Sequence, residues 1–423
     1  MKGAEQADER VDAMMSDGFV TISNFRRRTV AGASAAVVSM ALLGCSSSRP
    51  TASTQTTPQW DDARSQMMLQ IATEQFENGE VDKADQTIAD SLAMGRASAE
   101  VLILKGRIEI EQNNLPAATQ AIEQAIARSP RAGEAYYLRG IVAEIAGDLE
   151  LALQCYDYAA EFDPRTPDHV LAGCEVLVRQ GKVDEASARI EATREGFASS
   201  SAIQDLAGQL AELRGDAFTA ADHYRRALLV APADEQVRRR LALALLASGQ
   251  PDAAVVHLDQ LLPEDPSTAG TAVANLYVLL GDARRATGSP ARAIDAFRGA
   301  TKADPDNPIG WMRLADTSIA SGDYATASSA LDRASKLPVD ESQTTELSLL
   351  GAMLNIRLDK PAAAATLLRG VLEKEPEHVD AWLLSGRCLE MLGRPAEAAA
   401  CYERALALRP GDELAITLRE SLP

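Results

Sequence analysis

Chemistry needs thiols, imidazoles, carboxylates or hydroxyls within reach of one another, and this 423-residue sequence offers few such groupings. Its five cysteines (Cys45, Cys155, Cys174, Cys388 and Cys401) form no C-x-x-C pair and match no zinc spacing. The four histidines, His169, His223, His257 and His378, stand singly, so neither a metal nor another cofactor is expected. G-x-S-x-G, a Walker loop, a dinucleotide fingerprint and H-E-x-x-H are all missing. No catalytic residue is therefore nominated, and an enzyme is not expected. One thiol stands apart. Cys45 closes an uncharged run from Val30 to Leu43 that follows Arg26, Arg27 and Arg28.

Those fourteen uncharged residues make about 21 Å of helix, too short for a bilayer core of roughly 30 Å. A basic flank, a short apolar stretch and small residues at the exit are the layout of a secretory signal. The exit Leu42-Leu43-Gly44-Cys45 resembles the lipobox of bacterial lipoproteins. That resemblance implies removal of residues 1–44 as a signal peptide and lipidation of the Cys45 thiol, with several acyl chains giving lasting membrane anchorage. Ser46, rather than Asp, implies the outer membrane, facing the periplasm. The segment before Arg26 is long for such a signal. Either translation starts at Met14 or Met15, or Arg27-Arg28-Thr29-Val30 serves twin-arginine export. The alternative is that the run is a short buried helix opening the fold. Residues 45–62 then form the lipidated cysteine and a flexible linker, rich in Ser, Thr and Pro.

Hydrophobic residues make up 46 % and aromatics only 4 %, which suits many small Ala/Leu interfaces better than one large core. The formal charge is −19. The charges before Cys45 cancel, so removing that segment leaves this value unchanged. A field of that sign excludes nucleic acid as the natural partner and favours a neutral or basic protein or peptide.

Residues 147–164, GDLELALQCYDYAAEFDP, and 393–410, GRPAEAAACYERALALRP, share glycine, alanine, tyrosine and proline at equal offsets. Laid along the chain they define a 34-residue period, with blocks starting at Ser65, Ala99, Gly133, Pro167, Ser201, Glu235, Ala274, Pro308, Thr345 and Val379. Two steps are longer, 39 and 37 residues. Column 20 is alanine in all ten blocks, column 8 is always small, and column 24 is always large and apolar. Column 15 is glycine, or Asn113 or Asp359, residue types that tolerate the left-handed turn ending a helix. Column 32 is proline in seven blocks and stops the second helix. The unit is a helix, a tight turn, a helix and a break.

This resembles the tetratricopeptide repeat. The resemblance covers residues 65–412 as ten repeats and implies an all-α fold, a right-handed α-solenoid, with residues 413–423 as a capping helix. Blocks one, four and nine depart most: Arg96 and Ala198 replace the closing proline, and Ser348 replaces an aromatic residue. The family's concave groove is lined by the first helices through columns 2, 5, 9 and 12, which nominates Ile103, Arg107, Tyr137, Glu144, Leu171, Glu175, Asp205, Arg239, Asp282, Met312, Leu349 and Leu383 for partner binding. An apolar stripe rimmed by charge suits an extended or helical peptide. Column 5 equally fits packing between neighbouring repeats. By resemblance, the expected function is a membrane-anchored protein–protein interaction scaffold of the bacterial envelope, of the pilus, secretion, exopolysaccharide or envelope-assembly type. The alternative is a regulatory subunit that activates or recruits an envelope enzyme in trans.

Overall fold

A computed structural model describes residues 58–422, apart from 96, 194, 195, 264 and 269. Cys45 and the segment 1–57 lie outside the described residues. Contacts divide the chain into two compact units, the first ending at Pro232, the proline closing block five, and the second beginning at Ala233. In the first unit the helices are α1 Pro58–Glu77, α2 Val81–Ala93, α3 Ala99–Glu111, α4 Leu115–Arg128, α5 Gly133–Ile145, α6 Leu149–Phe162, α7 Pro167–Arg179, α8 Val183–Thr193, α9 Ser201–Leu213 and α10 Ala217–Val230. In the second they are α11 Glu235–Ala247, α12 Pro251–Leu261, α13 Gly270–Ala286, α14 Pro290–Ala303, α15 Pro308–Ser321, α16 Tyr324–Ala334, α17 Glu341–Arg357, α18 Pro361–Lys374, α19 Val379–Met391, α20 Pro395–Leu408 and α21 Glu413–Glu420. No strand occurs among the described residues, and none of their helices is long and apolar enough to cross a membrane.

Seven of the ten first helices begin on the residue that opens their block. The exceptions have local causes. α1 starts at Pro58, so residues 58–62, assigned to the linker on composition, are helical; proline is favoured at a first helical position because its missing N–H would be unpaired there. The long 39-residue step is taken up between repeats, by a 3₁₀ turn at Pro266–Thr268 and an early start of α13 at Gly270. Before α17, Asp340 and Gln343 form a reciprocal capping box, which starts that helix four residues ahead of Thr345.

Column 15 turns as its residue types require. All ten of its residues have positive φ, including Asn113 at 59° and Asp359 at 58°. At the first turn the Gly79 N–H donates to the Phe76 carbonyl at 3.0 Å and the Glu80 N–H to Gln75 at 2.8 Å. This is the Schellman pairing that satisfies the last carbonyls of a helix. The Glu80 carbonyl then accepts from Ala84 and begins the next helix, so two residues end one helix and start another.

Within each hairpin the helices meet on small residues. All ten column 20 alanines are 0 % exposed. Opposite them, columns 8 and 24 are coupled in size. Wherever column 24 is aromatic (Tyr156, Tyr224, Phe297, Tyr402), column 8 is glycine (Gly140, Gly208, Gly281, Gly386). A Cβ on any of those glycines would lie 2.3–2.4 Å from the ring. Where column 24 is Ile or Leu, column 8 is Ala or Cys, except for Gly106 beside Ile122. The three tyrosines also reach a column 12 carboxylate: Glu144 at 2.8 Å, Glu212 at 2.9 Å and Glu390 at 2.8 Å. Phe297 has no hydroxyl, and its column 12 residue is Arg285.

Hairpins are tied to the break before them. Trp311 and Trp382 Nε1 each donate at 2.9 Å to the proline carbonyl six residues earlier, Pro305 and Pro376. Block four lacks that proline, and α8 ends early at Thr193. There Phe197 folds back onto Ile190, Ile203, Leu206 and Leu210 and plugs the joint. At the end of the chain α21 caps the last hairpin, burying Ala415 against Ala398, Tyr402 and Ala405. Cys155, Cys174, Cys388 and Cys401 are buried and unbridged. Burial pushes the Cys174 thiol up to about 12 and Cys388 to about 11, so neither is a nucleophile near neutrality.

The size coupling is testable at Gly281 and Phe297. Gly281→Ala should destabilise the chain by about 1–3 kcal/mol through overpacking. Adding Phe297→Leu recreates the Ala/Leu pairing of Ala242 with Leu258 and should restore part of that loss in denaturant unfolding. Additive losses would mean the two positions do not share one space.

Candidate partner-binding groove

In both units the first helices of successive repeats touch one another: α1 with α3, α3 with α5 and α7 with α9, then α13 with α15, α15 with α17 and α17 with α19. Within each unit the second helices pack on their own first helix and on the next first helix of that unit, so the first helices form one face of each unit.

In the first unit, Ile103, Tyr137, Leu171 and Asp205 follow one another along α3, α5, α7 and α9, all half-buried. Ile103 and Tyr137 lean on the cluster around Ile122, Leu138 and Tyr156, and Leu171 on that around Cys174 and Leu206. The Tyr137 ring lies 5.6 Å from Tyr156 and 5.2 Å from His169. Column 5 thus wedges between repeats while keeping an accessible edge. Arg107 donates to Glu134 of the next repeat through Nε at 3.1 Å and Nη2 at 2.5 Å. Asp205 accepts from Gln209 Nε2 at 2.8 Å, and Glu175 is half-buried on α7.

Glu144 is corrected by the structure. It is buried, accepting from Tyr156 Oη at 2.8 Å and from Arg179 at 2.5 Å, and it braces the hairpin instead of facing the groove. Burial raises its pKa, against the opposing pull of Tyr156 and Arg179. Met312 and Leu383 are corrected likewise, at 2 % and 6 % exposure: Met312 packs with Leu350 and Leu354 of the next repeat, and Leu383 lies in the cluster that the capping helix α21 closes.

In the second unit Arg239 is half-buried on α11 and Leu349 leans on Leu368 and Val371. Asp282 belongs to a chain of charges across three repeats. Arg285 reaches Asp282 at 3.2 Å and Asp316 at 2.5 Å, while Arg313 reaches Glu346 at 3.1 Å and Asp282 at 4.0 Å. Burial raises the Asp282 pKa, Arg313 and Arg285 lower it, and Asp316 raises it again. Sequence reasoning missed Glu134, Arg313 and Glu346. Their signal is an opposite charge at column 2 of the next block, 27 residues from Arg107 to Glu134 and 33 from Arg313 to Glu346.

Nothing here pairs a nucleophile with a base, and no cluster of three metal-ligating side chains occurs among the described residues. The arrangement can bind, by apolar contact and exchange of ion pairs.

A tetratricopeptide repeat profile matches residues 103–167, 278–340 and 349–413, and a second profile of the same repeat matches residues 213–278, together more than half of the chain. The chain belongs to the tetratricopeptide repeat family. Among solved structures, this tetratricopeptide repeat protein is similar to the Cut9–Hcn1 hetero-tetramer of APC/C, at 12 % identity over 86 % of this chain and 84 % of that one, with a TM-score of 0.42. It is also similar to YrrB, described as having an unusual peptide-binding site, at 19 % identity over 45 % and 95 % of the chains and a TM-score of 0.39. For pilF of Pseudomonas aeruginosa the values are 16 % identity, 60 % and 96 % of the chains, and 0.37. At such identities the likeness is one of fold. No curated protein sequence matches. The tetratricopeptide repeat fold is that of a protein–protein interaction scaffold.

His169 ties this groove to pH. It is 1 % exposed, it packs on Tyr137, and neither ring nitrogen has a hydrogen-bond partner of good geometry. Burial lowers its pKa below 6.5, against the carboxylates of Glu134 and Asp163. Between that lowered value and 6.5 the unfolded chain binds more protons than the folded one. Stability from this group is therefore present above 6.5 and lost as pH falls through that window. The denaturation midpoint should drop between about pH 7 and about pH 5, and His169→Phe should flatten the dependence. Equal slopes in parent and variant would remove His169 as its source.

Proposed function

We propose that this tetratricopeptide repeat protein is a lipid-anchored scaffold of the bacterial cell envelope. Cys45 carries the lipid and holds the chain at the outer membrane, facing the periplasm. The inner faces take an extended or helical segment of a neutral or basic partner belonging to pilus, secretion, exopolysaccharide or envelope-assembly machinery. The observation that carries the binding half of this reading is the run of accessible, half-buried column 5 residues along first helices that touch one another. Ile103, Tyr137 and Leu171 supply apolar edges in the first unit, and Leu349 does so in the second. Arg107, Glu175, Asp205, Arg239 and Asp282 supply charge beside them. The anchoring half is supported by the sequence around Leu42-Leu43-Gly44-Cys45 and by the linker after it.

Two measurements test the halves separately. Cys45→Ala should move the chain from the membrane to the soluble fraction, or leave it unprocessed. Unchanged fractionation and migration would remove the lipid anchor. Partner capture by the native chain should weaken at least tenfold in Tyr137→Ala combined with Leu171→Ala, with helicity retained. Undiminished capture would remove the groove. Assaying the captured partner with and without the chain decides whether the scaffold also regulates an enzyme in trans.

A further inference from the structure

Aromatic residues are 4 % of this chain, yet three of them converge on the outside of repeat three. Tyr136 lies in the first turn of α5, and Tyr158 and Phe162 lie one turn apart on α6. Ring centroids are 5.4 Å apart for Tyr136–Tyr158, 5.3 Å for Tyr136–Phe162 and 6.0 Å for Tyr158–Phe162. The last pair is inclined by only 12° and stacked, so the two parallel, offset rings form one short strip. Tyr158 is 40 % exposed. It occupies column 26, which in every other repeat is polar, charged, alanine or glycine. A repeat-wide packing need therefore does not explain a tyrosine there.

The chain itself shows what the strip can hold. The Arg131 guanidinium carbon sits 5.4 Å from the Phe162 centroid, over the ring face. A planar guanidinium stacks on an aromatic face better than a compact ammonium does, and such contacts strengthen as they lose water. The neighbouring ridge of α6 carries exposed Asp157 and Glu161, negative charge beside the rings in a chain of net charge −19. Asp157 already holds Arg189 at 2.7 Å.

We propose that the Tyr158–Phe162 strip is a docking platform for an arginine side chain of a basic partner protein, with Arg131 as a built-in competitor for the same rings. The incoming guanidinium stacks on the strip, displaces Arg131 from Phe162 and faces Glu161. The platform is open, and its rings pack on one another instead of enclosing a space. This favours a planar cation over the quaternary ammonium of a choline headgroup. The strip lies on a second helix, outside the columns that line the groove, and the proposal requires neither the groove nor the lipid anchor.

The test uses the full chain with ring-labelled tyrosine and phenylalanine and the probe N-acetyl-arginine amide, titrated at constant ionic strength and followed by nuclear magnetic resonance. Saturable shifts of the Tyr158 and Phe162 ring signals are expected, with none from the uncharged N-acetyl-citrulline amide. Arg131→Ala should tighten binding about two- to fivefold, as expected for removal of one exposed cation–π competitor. Tyr158→Ser, a surface change checked for retained helicity, should weaken binding at least threefold. The absence of saturable shifts, equal shifts with citrulline, or affinity unchanged by both substitutions would overturn the proposal. So would shifts with phosphocholine but not with the arginine probe, which would assign the strip to a lipid headgroup.

Discussion

The whole architecture depends on how closely two helices approach across columns 8, 20 and 24. Alanine at column 20 is fully buried in every hairpin, and nothing larger fits between the backbones. The remaining space is filled in two ways. One uses glycine with a ring, as in Gly208 and Tyr224; the other uses alanine with leucine, as in Ala352 and Leu368. Alanine opposite a ring would clash, whereas glycine is also found opposite a branched aliphatic side chain, as in Gly106 and Ile122. The ring solution brings a hydroxyl into the seam, and with it a polar group that must be satisfied. Glu144, Glu212 and Glu390 are the answer. A carboxylate at column 12 thus accompanies a tyrosine at column 24, which a glycine at column 8 admits.

That chain of dependence explains which parts of the protein were legible in its sequence. Column 20, the column 15 turns and the closing prolines each obey a constraint that one residue type satisfies, and the structure places helix ends where those columns put them. Asn113 and Asp359 take up positive φ like the glycines they replace. Boundaries moved where extra residues gave the chain a choice, as at Pro58, Gly270 and Asp340, and where the closing proline is missing, as at Thr193. Phe197 was not legible, because it repairs a missing proline through a contact outside the repeat pattern.

The groove was read less well, for a physical reason. Columns 5 and 12 lie at the margin between an open face and a packed seam, and the neighbouring repeat decides which they become. Leu349 keeps an accessible edge, whereas Met312 and Leu383, in the same column, are covered. Glu144 looked like a rim charge until Tyr156 and Arg179 enclosed it. Column identity alone does not carry that information. The pairing of Arg107 with Glu134 does, because it needs only column 9 of one block read against column 2 of the next.

The same pairing limits what the inner faces can do. A charged ligand arriving between Arg313, Asp282, Arg285 and Asp316 meets side chains already satisfied by one another, and each new ion pair replaces an old one. The exchange is nearly neutral in free energy, so charge there selects partners and orients them more than it holds them. Affinity has to come from apolar edges such as Tyr137 and Leu171, whose burial is not matched by the loss of an existing contact. A scaffold of this kind gains tightness by lengthening the ligand across more column 5 positions, repeat by repeat, and the repeated fold supplies those positions at regular intervals.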